Sequence, residues 1–251
     1  MLKPFVIALQ FLTRLPIPIY FETGSEGNGR QLGRSVLYYP LVGLVVGGLL
    51  ATLQYLLSTY TPGSAYTVVH AAIILMVWIG LTGALHLDGL ADSADAWLGG
   101  LGDRDRTLAI MKDPYSGPAG VTAIVLVLIL KFAALSQLTG QDWEYLLITP
   151  MLGRTAVVVL FLTTPYVRQG GIGYFQVRYL PKAAAWLVVI SALGLVALFA
   201  GDRVIWVMLA VTAVWFWLRY RMISRIGGTT GDTAGSMVEI IETVGLVMLV
   251  I

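Results

Sequence analysis

The sequence contains no cysteine and only two histidines, His70 and His86. The first absence removes disulfides, iron–sulfur clusters and thiolate zinc sites. The second removes any multi-histidine metal centre, so a metal here must be a hard cation held by carboxylates. Charge is scarce as well: 12% of the 251 residues are charged, against about 25% in an ordinary soluble domain. With 57% hydrophobic residues and a mean hydropathy of +0.81, the chain has too little polar surface to cover a soluble globule. A soluble enzyme, a disordered chain and a secreted disulfide scaffold are thereby excluded, and an integral membrane protein in contact with the lipid bilayer is indicated. The net charge of +2 is too small for general nucleic-acid binding, and no nucleic acid is expected as a partner.

What is abundant is apolar runs. A bilayer-spanning helix needs about 20 mostly apolar residues, and seven runs qualify: 36–60, 67–87, 118–138, 146–164, 183–200, 204–218 and 236–251. The expected fold is an all-α, polytopic integral membrane helix bundle, with residues 1–251 forming one catalytic domain. The fifth and sixth spans are separated only by Gly201-Asp202-Arg203, which reads as a tight hairpin, since one long helix would put two charges in lipid. The short apolar run Phe5–Leu12, followed by Arg14, Pro16 and Pro18, predicts an interfacial helix and not a cleaved signal peptide. Of the 16 Lys and Arg residues, all but Arg203, Lys131 and Arg154 fall in the N-terminal segment or in alternate loops near 88–117, 165–182 and 219–235. By the positive-inside rule these segments face the cytoplasm. The protein is thus expected as a multi-pass protein of a prokaryotic cytoplasmic (inner) membrane, with its C-terminus outside. The glycines of these loops, from Gly99 to Gly102, Gly170 to Gly173 and Gly227 to Gly235, read chiefly as loop formers.

The segment from His86 to Asp95 follows the second span without a visible break. If the helix continues, Asp88, Asp92 and Asp95 fall at i, i+4 and i+7, on one face. Like charges on one face repel, and a divalent cation such as Mg²⁺ or Mn²⁺ would relieve them. Small neighbours, Gly89, Ala91, Ser93 and Ala94, leave room for a ligand. Cations on aspartates suit phosphoryl transfer, because they neutralise pyrophosphate charge. The plain alternative is a solvated acidic helix end.

Other charged residues stand on the same side. Asp113, Asp232, Glu239 and Glu242 are candidates to complete a metal shell or to hold a sugar or base, although the last two could equally be the polar face of an entry helix. Arg104, Arg106, Lys112 and Arg168 are candidates for phosphate, although the positive-inside rule alone would place them there. Lys131 and Arg154 lie inside spans, roughly 11–12 Å from the outer end at 1.5 Å per residue. Lys131 can snorkel to headgroups. Arg154 is expected to face a polar cavity, bracing the bundle or touching substrate.

At these residues the chain resembles the cobalamin synthase family, also called adenosylcobinamide-GDP ribazoletransferase. The run His86-Leu87-Asp88-Gly89-Leu90-Ala91-Asp92-Ser93-Ala94-Asp95 is similar to its signature. Phe11-Leu12-Thr13-Arg14-Leu15-Pro16 resembles its opening motif and Ala109-Ile110-Met111-Lys112-Asp113 its second acidic motif. Gly153-Arg154, Pro165-Tyr166-Val167-Arg168, Thr230-Gly231-Asp232 and the Glu239, Glu242 spacing also match. Tyr115 stands where the family often has a basic residue. The resemblance implies that adenosylcobinamide-GDP donates its cobinamide-bearing phosphoryl group to the ribose 3′-hydroxyl of α-ribazole or its 5′-phosphate, releasing GMP. It also implies Mg²⁺ as cofactor. Asp88, Asp92 and Asp95 would be catalytic and, with Asp232, metal ligands. Lys112, Asp113, Arg168, Arg104, Glu239, Glu242 and Arg154 would bind substrate. The general base is left open among Asp95, Asp92, His86 or none, and homo-oligomerisation is left open too.

Two other readings compete. A CDP-alcohol head-group transferase would carry Arg where Asp92 stands. A cation transporter would place its acids near the bilayer midplane, whereas these cluster at span ends.

Overall fold

The structure is a computed structural model and describes residues 2–17, 26–61, 63 and 67–251; Pro18 lies outside them. Twelve helices are found among the described residues: α1 (Leu2–Leu12), α2 (Glu26–Ser35), α3 (Tyr39–Tyr60), α4 (Thr67–Thr82), α5 (Leu85–Gly99), α6 (Arg104–Ile110), α7 (Pro118–Leu135), α8 (Trp143–Thr163), α9 (Ile172–Arg178), α10 (Lys182–Phe199), α11 (Val204–Ile226) and α12 (Gly231–Val250). No strand occurs among them. Six helical runs are long and apolar enough to cross a membrane, or seven if the bent pair α4–α5 counts as one. The chain is therefore a polytopic membrane helix bundle, as its composition requires.

The helices pack around α8 and α12, which are largely buried while α7, α10 and α11 expose apolar flanks outward. Among the described residues the most extensive packing is α3 against α8. A Cβ at Gly43 would lie 2.5 Å from Met151 Cα, and one at Gly47 2.6 Å from the carbonyls of Leu146 and Leu147. This is a small-xxx-small crossing, which lets backbones touch where apolar burial gives no drive in lipid. Gly43→Ala or Gly47→Ala is expected to cost about 2–3 kcal/mol by overpacking, read as a fall in detergent melting temperature. Gly48→Ala is the control. Its Cβ would meet nothing closer than 4.0 Å, so higher helix propensity should leave it neutral or slightly stabilised.

Three span boundaries differ from expectation. The second span does not run on into the acidic segment: it ends at Thr82, and the chain turns by 85° into α5. The turn is made by Gly83 and Ala84, with φ of +60° and +56°, values that end a right-handed helix. A Cβ at Gly83 would fall 2.3 Å from Arg14 Cγ, and Arg14 N–H donates to Leu81 O at 2.8 Å. The opening motif thus lies across this elbow. The sixth span continues to Ile226, and the last begins at Gly231 behind a Thr230–Thr233 capping box. Gly231 and Gly235 accordingly belong to α12, and neither is in a loop. The expected hairpin is present as a 3-10 turn over Gly201–Arg203. The short helices α2, α6 and α9 were not expected. They occupy polar or glycine-rich stretches with no strong apolar period.

Candidate active site

At one end of the bundle the C-termini of α8 and α11 meet the N-termini of α7 and α12. Val167 N–H donates to Thr229 O at 2.9 Å and Thr229 N–H to Pro165 O at 2.8 Å, stapling the two loops. Gly89 on α5 abuts the Asp232 backbone, where a Cβ would stand 2.7 Å from the carbonyl oxygen. Helix α5, lying across this end, therefore presents its acidic face to the first turn of α12.

The three aspartates of α5 share one face, but they have different surroundings. Asp88 is exposed and Asp92 half-buried. Partial burial, followed by the charges of Asp88 and Asp232, pushes the Asp92 carboxyl up to about 6. That shift shows Asp88, Asp92 and Asp232 within electrostatic reach of one another. Asp95 is engaged elsewhere. Its Oδ2 accepts from Gly117 N–H at 2.6 Å and its Oδ1 from Gly120 N–H at 2.9 Å, at the start of α7. Ionised oxygens on the orphan amides of a helix N-terminus are well matched in charge and geometry. Both partners are glycines because a Cβ there would come within 2.6 Å of the carboxylate. Asp95→Ala is expected to cost about 2–3 kcal/mol of stability, seen as a lower melting temperature, while Asp88→Asn should leave melting nearly unchanged.

Asp232 faces Arg168, with Nη2 2.8 Å from Oδ2, and the same guanidinium donates to Met111 O at 3.3 Å. Met111 precedes Lys112 and Asp113, both exposed, and Asp113 accepts from Tyr115 N–H at 3.1 Å in its own turn. Arg104 donates through Nε to Ile226 O at 3.0 Å, closing the end of α11. Arg219 does the same for α8, donating to Thr163 O at 2.6 Å. Several basic residues at this end thus cap helices, and Arg168 is the one drawn into the acidic cluster.

Glu239, Glu242, Lys131 and Arg154 lie elsewhere, inside the bundle. Lys131 Nζ donates to Glu239 Oε2 at 2.6 Å and to Glu242 Oε2 at 2.7 Å, and it sits 4.5 Å from the Trp78 ring centroid. Arg154, fully buried, pairs with Glu242 and approaches His86 Nδ1 at 3.5 Å. Two positive and two negative charges cancel. Lys131 therefore does not snorkel, because its counter-charges are on α12 and not in the headgroups. The two glutamates likewise form no exposed entry face. Burial with paired charge is what makes such residues tolerable in a bundle interior.

Beside the acidic cluster is a cavity of about 280 Å³. Asp88 and Asp232 stand on its lining, as do Tyr39, His86, Tyr166 and Gln176. Room for the Tyr166 ring comes from Gly173, where a Cβ would meet the hydroxyl at 2.3 Å. Neither Tyr39 nor Gln176 stood out in the sequence. Each is an isolated residue, and α9, which carries Gln176, leaves no periodic signal.

The oxygen-only donor set suits Mg²⁺, although no three acidic or histidine side chains already stand at metal-ligating spacing among the described residues. Mg²⁺ commonly takes one or two carboxylates and fills its remaining positions with water and substrate phosphate. Asp88 and Asp92 are the residues that could serve as those carboxylates.

A family model described as cobalamin-5-phosphate synthase matches residues 4–250. The chain is 53% identical over 241 residues to an adenosylcobinamide-GDP ribazoletransferase of Pseudomonas putida, covering 95% of each chain. It is 51% identical over 247 residues to a protein of that name from Pseudomonas fluorescens, covering 98% of each. With one from Pseudomonas entomophila it shares 50% over 252 residues, 98% of this chain and 99% of the relative. No solved structure matches.

Proposed function

The chain belongs to the cobalamin-5-phosphate synthase family, and on that premise we propose that it is an adenosylcobinamide-GDP ribazoletransferase whose chemistry takes place at the α5–α12 junction. The ribose 3′-oxygen of α-ribazole, or of its 5′-phosphate, attacks the phosphorus bearing the cobinamide. The P–O bond to the GMP phosphate breaks, and GMP leaves with the bridging oxygen. The hydroxyl proton passes to a carboxylate or to water. The products are adenosylcobalamin, or its 5′-phosphate, and GMP. The observation that carries this reading is the Arg168–Asp232 ion pair, with Asp88 and Asp92 of α5 within electrostatic reach of Asp232 and a cavity lined by Asp88 and Asp232 beside them.

Asp88 and Asp92 would hold Mg²⁺, which when bound offsets pyrophosphate charge and steadies the leaving group. Arg168 is placed to take a phosphate oxygen, releasing Asp232 as the nucleotide arrives. Lys112, exposed beside it, adds positive charge to the approach. Asp95 holds the start of α7 and keeps the α5 face in register. Glu239, Glu242 and Arg154 brace the helices that carry the site.

The membrane is the anchor and the site opens to the cytoplasm, because a corrin-sized nucleotide cannot enter lipid and the basic segments gather at this end. The chain has no cysteine, so a single Cys introduced near residue 100 maps the side directly. It should resist an impermeant thiol reagent in intact cells and react in inverted vesicles; labelling in intact cells would contradict the orientation. The reaction itself is tested by incubating purified protein with adenosylcobinamide-GDP, α-ribazole and Mg²⁺. Equimolar GMP and adenosylcobalamin are expected, and absence of both would overturn the assignment.

A further inference from the structure

The cavity beside the acidic cluster contains polar atoms that the protein itself does not satisfy. Tyr39 and Gln176 are buried to 1% and 0% exposure and His86 to 3%. The Tyr39 hydroxyl, both polar atoms of the Gln176 amide and His86 Nε2 make no well-formed hydrogen bond among the described residues. The Tyr39 hydroxyl and Gln176 amide are near neighbours, but that pairing leaves at least one amide atom without a partner. Each orphaned buried polar group costs about 1–3 kcal/mol, and native proteins keep few of them without a reason. The tautomer of His86 follows from its other contact. The Arg154 guanidinium, 3.5 Å from Nδ1, can only donate, so a neutral ring that accepts there carries its proton on Nε2. His86 Nε2–H is then an unsatisfied donor.

The remaining walls are apolar and aromatic, with Leu12, Val157, Phe161 and Val238 among them, and no Lys or Arg lines the cavity among the described residues. A phosphate would find no counter-charge inside. A corrin would not fit about 280 Å³. Among the described residues the charged lining groups are Asp88 and Asp232, which are exposed and half-exposed respectively. The cavity is therefore a mostly apolar compartment that carries its charge only where it borders the acidic cluster.

We propose that this compartment is the acceptor subsite. It takes the nucleoside α-ribazole base-first, with the benzimidazole between apolar walls and the ribose at the Asp88–Asp232 border. The proposal rests on the transferase reading above. An alkylated benzimidazole matches a pocket that is mostly apolar and holds a few isolated polar groups. It offers a ring nitrogen as acceptor for His86 Nε2–H, while Gln176 and Tyr39 supply donors and acceptors for sugar hydroxyls or ring edge. Guanine carries a continuous row of donors and acceptors and would leave several of them unpaired against these walls. A 5′-phosphate on the nucleoside would remain outside, towards Arg168.

The test is equilibrium dialysis of α-ribazole against the purified wild type in detergent with EDTA and no donor substrate, alongside steady-state kinetics. Saturable binding is expected, displaced by free 5,6-dimethylbenzimidazole and not by GMP. Gln176→Leu should weaken it about tenfold or more. Tyr39→Phe, which removes one oxygen and leaves no void, should raise the acceptor KM by several-fold up to about tenfold. The KM for adenosylcobinamide-GDP should stay within about twofold. No saturable binding by a wild type that turns over, displacement by GMP, or a shift in the donor KM alone would overturn the subsite. A wild type that binds α-ribazole yet makes no cobalamin would instead overturn the reaction.

Discussion

Asp88→Asn and Asp92→Asn should each lower turnover on the order of 10³-fold or more, as expected when a group acting on transition-state charge is neutralised. Both proteins should still purify as monodisperse folded bundles, because neither side chain caps a helix or fills the core. Asp92 adds a pH signature. Partial burial and the Asp88 and Asp232 charges push its carboxyl up to about 6, and the proposed mechanism requires it ionised, so wild-type activity at low, subsaturating metal should rise as pH increases through about 6. The stability effect has the opposite direction. A carboxyl raised above its ordinary value favours the folded state most when protonated, so that contribution is full below about pH 4 and is lost as pH rises through 6. In metal-free buffer at pH 7.5, Asp92→Asn should therefore melt above the wild type, and the difference should close towards pH 4. A variant that is both inactive and less stable at pH 7.5 would place Asp92 in the scaffold.

Arg154→Leu is the second large effect expected, and it acts on the fold. Glu242 would lose one of its two cations in a fully buried position. Breaking a buried pair costs about 3–5 kcal/mol, which for a chain of this size corresponds to a fall in melting temperature of roughly 6–20 °C. Lys131→Met should behave similarly, since Glu239 would be left with no cation within ion-pair distance among the described residues. Removing a matched pair, Lys131→Met with Glu239→Leu, preserves neutrality and should recover more than half of the loss. If Arg154→Leu left expression, melting and activity intact, the buried cluster would have no structural role.

Much of this was legible in the sequence because membrane burial acts on local, additive properties. Apolar run length marks the spans, and the spacing of Asp88, Asp92 and Asp95 places them on one helical face in α5. Local signals could not give the partners. Asp95 resembles Asp88 and Asp92 by spacing, and only the approach of Gly117 and Gly120 turns it into a helix cap. Lys131 and Glu239 are 108 positions apart, so their pairing is a property of helix packing and carries no local mark. The elbow at Gly83 and Ala84 was hidden because alanine rarely adopts positive φ; the Arg14 contact that occupies it is again long-range. The cavity beside the acidic cluster was least legible, since Tyr39, His86 and Gln176 come from three separate helices and acquire meaning only through the unsatisfied polar atoms they bring to one place.

The most direct test of the site is a Mn²⁺ titration followed by electron paramagnetic resonance, with the donor nucleotide present and turnover measured on the same samples after EDTA treatment. Wild-type protein should bind Mn²⁺ and regain activity with Mn²⁺ or Mg²⁺. Asp88→Asn and Asp92→Asn should lose both binding and recovery, while Lys131→Met with Glu239→Leu keeps them. Full activity in EDTA, or unchanged Mn²⁺ binding in the two aspartate variants, would contradict a carboxylate-held cation at the α5–α12 junction.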